Sequence, residues 1–179
     1  MKPLDVYSIP FPGLKVGKHE FTYEIDGKFF ENFEYSPIKD GDVYVHLTFD
    51  KRETFFVLSF FIDGSVIAEC DRCMEDFELP INGNYTTFVK YENEEDAEGN
   101  DEVMLINDQD IIINVANLIY ENINLSLPLH KTCDMSVLGK KSCNPEILKI
   151  LKEKASQEEK PDAEPIDPRW EKLRNLNKK

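Results

Sequence analysis

The chain is poor in the groups that enzymes use most. Its 179 residues hold three histidines, four cysteines, eight glycines and one tryptophan. His19, His46 and His130 stand in no pattern with a serine or cysteine that would build a nucleophile and its base. There is no glycine-rich phosphate loop and no H-E-x-x-H motif, and the many carboxylates lack the spacing of a calcium loop. These absences point away from catalysis. Long apolar runs are missing too, since none approaches the roughly 20 residues that span a bilayer. The first residues, Met1-Lys2-Pro3-Leu4-Asp5, form no signal-peptide core, so the expected location is the cytoplasm. Thiols there are kept reduced, which favours metal or redox chemistry over a structural disulfide.

Positive charge is also scarce. Lys and Arg number 21 against 35 Asp and Glu, a net charge of −14. A chain so acidic does not wrap nucleic acid by simple electrostatics. The few cations are concentrated, however. Residues 131–154 hold six Lys against three acids, and 166–179 hold five basic residues against two acids. An acidic body with two basic segments can meet RNA or an acidic partner through one face.

What is present is enough apolar sequence for a core, 41% of residues, with twelve Phe and seven Tyr. Residues 9–17 read as an irregular arm, and 19–25 alternate as a strand. Asp26-Gly27 then signals a hairpin, with the aromatic stretch 28–35 as either its return strand or a plug. A meander follows the expected turn at Asp40-Gly41. Val43, Val45, Leu47 and Phe49 alternate with polar residues, and the nearly all-apolar 55–62 fits a strand covered on both faces. A tight turn is expected at Asp63-Gly64, with 65–69 returning to deliver Cys70 at a strand end. Residues 77–91 continue the sheet with a break near Asn82-Gly83. Residues 92–102 carry seven acids and no base and read as a loop. Residues 103–106 suit a short strand. Asn114 suits an N-cap before a helical stripe of Val115, Leu118, Ile119 and Ile123 that stops at Pro128. A short helix over 145–154 and an amphipathic one carrying Ile166, Trp170, Leu173 and Leu176 complete the pattern. The fold class expected is α+β: a mainly antiparallel β-sheet body with one central helix and a short C-terminal helix. Residues 1–154 form the β-rich domain, 155–165 an acidic linker, and 166–179 a docking helix.

Cys70-Asp71-Arg72-Cys73 has the spacing of half a tetrahedral thiolate site. The other half, Cys133 and Cys143, is a less regular C-x9-C, and His130 could replace Cys133. Three readings are open: a zinc site on Cys70, Cys73, Cys133 and Cys143, four thiols without a metal, or a redox dithiol. The last needs a lowered thiol pKa, and Glu69, Asp71, Glu75 and Asp76 around the pair act in the opposite sense. Lys131, Lys140, Lys141, Lys149 and Lys152, with Arg72, form a candidate RNA surface or a solvated lysine face.

In the order of these features the chain resembles the YceD family of large-subunit ribosomal RNA accumulation proteins. The resemblance rests on Cys70-Asp71-Arg72-Cys73 after a strand, a helix over 114–126 ending in Leu127-Pro128, Cys143, and Asp167-Pro168-Arg169-Trp170-x-x-Leu173. The arm at 10–17 and Phe29-Phe30 are also similar. The resemblance implies a non-enzymatic role in ribosomal RNA accumulation or large-subunit assembly. Zinc is the implied cofactor, and pre-ribosomal RNA or a ribosomal protein the partner. Arg72, Lys131, Lys140, Lys141, Lys149, Arg169 and Trp170 are the expected contact residues. The alternatives are an acidic adaptor for a basic ribosomal protein and, behind it, a C-x-x-C redox protein.

Overall fold

Alternation along three long strands organises the molecule. A computed structural model describes residues 4–91, 103–137, 139 and 142–158. In chain order the elements are β1 (Ser8–Ile9), β2 (Gly17–Ile25), α1 (Gly27–Phe30), β3 (Asp40–Lys51), β4 (Phe55–Glu69), β5 (Asp76–Tyr91), β6 (Val103–Ile106), β7 (Ile113–Asn114), α2 (Ala116–Leu125) and α3 (Pro145–Glu158). Five strands form one sheet in the order β2-β3-β4-β5-β6, antiparallel except for the parallel β5–β6 pair. The fold is therefore α+β with a mainly antiparallel sheet, as its sequence pattern implies. No helix among the described residues is long and apolar enough to cross a membrane.

The period of two sends Val43, Val45, Leu47 and Phe49 of β3 and Phe56, Leu58, Phe60 and Ile62 of β4 to one fully buried face. At about 1.5–3 kcal/mol for each large side chain removed from water, this face is the main source of stability. Helix α2 covers part of it with Ile119 and Ile123. The cap position of that helix is Val115, one residue later than expected, though Asn114 still serves its start, its Oδ1 accepting the Ala116 N–H at 2.9 Å. The same side chain donates through Nδ2 to the Leu4 carbonyl, fixing the N-terminal arm where β1 pairs with β7.

Several expected turns are not turns. Asp26-Gly27 makes no hairpin: α1 follows, and its Phe29 and Phe30 are buried as a plug. Phe29 packs edge-on against Tyr7, while Phe33 stacks on Tyr120 of α2 at 3.9 Å. Burial of these rings outweighs the local hairpin preference. Asp40-Gly41 begins β3 instead of preceding it. Asp63-Gly64 lies inside β4, which is paired on both sides there. A Cβ at Gly64 would strike the Asp42 carbonyl oxygen and lie 2.8 Å from Val43 Cα, so glycine permits a close backbone approach. Nor does β5 break at Asn82-Gly83; Tyr85 folds over Gly83 there to reach Ser126 Oγ at 3.0 Å. Residues 55–62 are buried on one face only, and Phe61 is 44% exposed on the other. α3 continues through 155–158, into the stretch expected to be linker. The acidic segment 92–102 and the expected helix over 166–179 lie outside the described residues.

Candidate metal centre

The strand period that builds the core also aims the first cysteine. Even-numbered residues of β4 face inward, and Cys70, one step past its end, keeps that parity and is buried. The chain then turns back on itself before β5. Met74 N donates to the Cys70 carbonyl at 2.9 Å and Cys70 N donates to the Glu75 carbonyl at 3.0 Å. Met74 takes a left-handed φ of 57°, which closes the turn and places Cys73 beside Cys70.

Asp71 brings in the third cysteine. Its N–H donates to the Lys131 carbonyl at 2.8 Å, and its Oδ2 accepts the Lys131 N–H at 2.7 Å. This two-way clamp sets Cys133 in a single turn of 3-10 helix at Cys133–Met135. The Val137 N–H then donates to the Glu78 carbonyl of β5 at 3.1 Å. Asn144 holds the fourth cysteine's end. Its Oδ1 accepts the Glu146 N–H at the start of α3, and its Nδ2 donates to Glu75 Oε1 at 3.1 Å. Ile147 and Leu148 pack against the core beside it.

The result is one cluster of four buried thiols, Cys70, Cys73, Cys133 and Cys143, with all sulfurs within 4.8 Å of one another. Cys70 Sγ is 3.8 Å from Cys143 Sγ, and Cys73 Sγ is 3.5 Å from Cys133 Sγ. These separations are too long for disulfides, and all four cysteines are free. His130 is exposed and stands outside the cluster, in which Cys133 takes its place with the other three cysteines.

Electrostatics limit the charge this cluster holds by itself. Burial works against charge on Cys70, yet the backbone N–H groups of Cys73 and Arg72 and the Cys133 thiol stabilise its thiolate and bring its pKa down to about 6. The neighbouring acids do not dominate, contrary to their expected effect, because N–H groups reach the sulfur directly. Burial pushes the Cys133 thiol up, as do its contacts with the other three cysteines, and burial also raises Cys143. Such a cluster resists holding several negative charges by itself. A metal ion among the sulfurs would compensate such charges, and the four thiols could hold one.

The expected contact residues divide. Arg72 is exposed, with Nη1 3.9 Å from Asp134 Oδ1. Lys131 places Nζ 3.4 Å from Asp71 Oδ1 and is largely covered. Lys149 is exposed on α3. Lys140, Lys141, Arg169 and Trp170 lie outside the described residues. Sequence reasoning missed the structural parts of Asp71 and Asn144, whose partners are distant in the chain.

No curated protein and no solved structure matches the chain. A family model does, the one described as large ribosomal RNA subunit accumulation protein YceD. It matches residues 58–177, from within β4 through all four cysteines and α3, and the chain therefore belongs to the YceD family.

Proposed function

We propose that the chain is a non-enzymatic cytoplasmic factor in large-subunit assembly, built around a structural zinc knot. The observation that carries this reading is the family match, which spans the whole four-cysteine cluster. Zinc suits the donor set. A tetrahedral centre with Zn–S bonds of about 2.3 Å has sulfurs about 3.8 Å apart. The cluster's 3.5 and 3.8 Å contacts are already close to that arrangement. Four thiolates complete the coordination shell, so bound zinc would organise structure and activate no water. The knot would present Arg72, Lys131, Lys140, Lys141 and Lys149 to pre-ribosomal RNA or a ribosomal protein, with Arg169 and Trp170 in a docking helix.

A second reading, an acidic adaptor for a basic ribosomal protein, gains support from the charge pairing. Lys131 is engaged by Asp71 and Arg72 lies near Asp134, so each of these two cations has an acid beside it. Nuclease-resistant, salt-sensitive binding favours this reading over RNA contact.

Deletion and complementation test the proposal. Cells lacking the chain should accumulate less large-subunit RNA relative to small-subunit RNA. The wild-type chain should restore it, and a Cys70→Ser, Cys73→Ser variant should not. Purified wild-type protein should carry about one zinc per chain by elemental analysis, and the variant none. Normal RNA levels in the deletion strain would sink the assembly reading, while wild-type protein free of zinc would sink the knot.

A further inference from the structure

Away from the cysteines, α2 leaves a cleft of about 560 Å³ against β5 and β6. Its walls include Tyr85 and Thr87 of β5, Met104 of β6, and Leu118, Glu121 and Asn122 of α2. Asn122 is only 6% exposed, yet its Nδ2 has no hydrogen-bond partner. Leaving a buried donor unpaired costs stability, and such groups are rare in native proteins. Asn122 lines an open cleft, and a ligand there can supply the acceptor once the buried amide turns toward it.

The surroundings select the ligand. Among the described residues that line it, Glu121 is the sole carboxylate, and no Lys, Arg or His accompanies it. A nucleic-acid backbone would meet a negative charge and find no cation. A peptide carbonyl supplies an acceptor without charge, and a Lys or Arg nearby pairs with Glu121. The net charge of −14 attracts basic segments to the same molecule. The sheet edge adds a third observation. β6 pairs with β5 only at Phe88–Tyr91, so at Tyr85–Thr87 that edge has no strand beside it among the described residues. An extended peptide is the form that adds to an open edge.

We infer that the α2–β5 cleft binds an extended basic segment of a protein partner, Asn122 Nδ2 donating to a peptide carbonyl and Glu121 pairing with a Lys or Arg. The inference deepens the assembly reading and rests on it for the choice of probe. The full chain is applied to overlapping synthetic peptides that tile the ribosomal proteins of the large subunit. Wild type should retain basic peptides. Asn122→Leu should weaken the best of them about tenfold, the scale of one lost buried hydrogen bond. Glu121→Lys should weaken it as well. Because Asn122→Leu removes an unpaired buried donor, its urea midpoint should stay level or rise, which separates lost binding from lost folding.

Retention of no basic peptide overturns the inference, as does equal binding by the variants. So does a shift of the Asn122 side-chain amide resonance on adding oligouridine, or one that depends on protein concentration alone and marks a second copy in the cleft. The complementation assay distinguishes the two failures. Variants that bind like wild type while the wild-type chain restores ribosomal RNA defeat the cleft and leave assembly standing. Variants that lose peptide binding in a system where deletion leaves ribosomal RNA unchanged do the reverse.

Discussion

Asp71 shows how one side chain can hold a site without being a ligand. It stands between Cys70 and Cys73, and its carboxylate accepts a backbone N–H from Lys131, 60 residues away. That N–H, with help from the Lys131 ammonium, holds the Asp71 carboxyl below its usual value of 3.8. A depressed acid contributes stability that is full above its unfolded pKa and is lost as pH falls through the folded one. The Lys131 amide should therefore be protected from exchange at neutral pH and lose protection only in acid, below the ordinary aspartate range. Asp71→Ala should remove that protection at neutral pH, cost about 1 kcal/mol by urea unfolding and speed loss of the proposed zinc to a chelator. Slow exchange at Lys131 in the variant would deny the clamp. The cysteine pair was legible because C-x-x-C is a local signal. The clamp was not, because its acceptor meets a backbone group that any residue type could supply. For the same reason sequence could not choose between His130 and Cys133, whereas the clamp brings Cys133 into the cluster and leaves His130 exposed.

Among the elements, strands were legible and turns were not. Alternation records which face is buried, and β3 obeys it at every one of Val43, Val45, Leu47 and Phe49. Glycine is ambiguous: the same residue serves a turn or a close approach, and only the neighbouring strand decides. Asp63-Gly64 reads as a turn, but the strand runs straight through because Asp42 and Val43 press against Gly64. Gly64→Ala should cost on the order of 1–3 kcal/mol, since the atoms met are backbone in a strand paired on both sides. Urea unfolding measures this directly. A loss smaller than that of Gly13→Ala, where nothing lies within 4 Å of the added Cβ, would show that the sheet accommodates the contact. Helix α2 was legible for a different reason. Its apolar stripe is local and so is its start, read one residue early, and Asn114 serves the helix and the arm with opposite ends of one amide.

At the scale of the molecule, the cluster ties two parts of unequal stability. On one side is a sheet in which β4 pairs from Phe55 to Glu69 with β5 and packs its inner face against α2. On the other is the stretch from Lys131 through α3, held by the Asp71 clamp, the Val137–Glu78 bond, the Asn144–Glu75 bond and the thiols. α3 rests on the core through Ile147 and Leu148 but leaves Ile150 and Leu151 about half exposed. A metal in a small finger domain is the condition of folding, because no other core exists there. Here the core exists without it. Chelation of the proposed zinc should therefore free the C-terminal stretch and leave the sheet folded. Hydrogen exchange after chelation should rise at Met135, Val137 and Leu148, whose amides are bonded in that stretch, while amides within β3 and β4 stay protected. Simultaneous loss in both regions would mean that the knot supports the whole fold. Local release would instead make zinc occupancy a control on the basic segment alone, so that chelated protein keeps its sheet and its α2–β5 cleft but loses whatever contacts Lys131, Lys149 and their neighbours make.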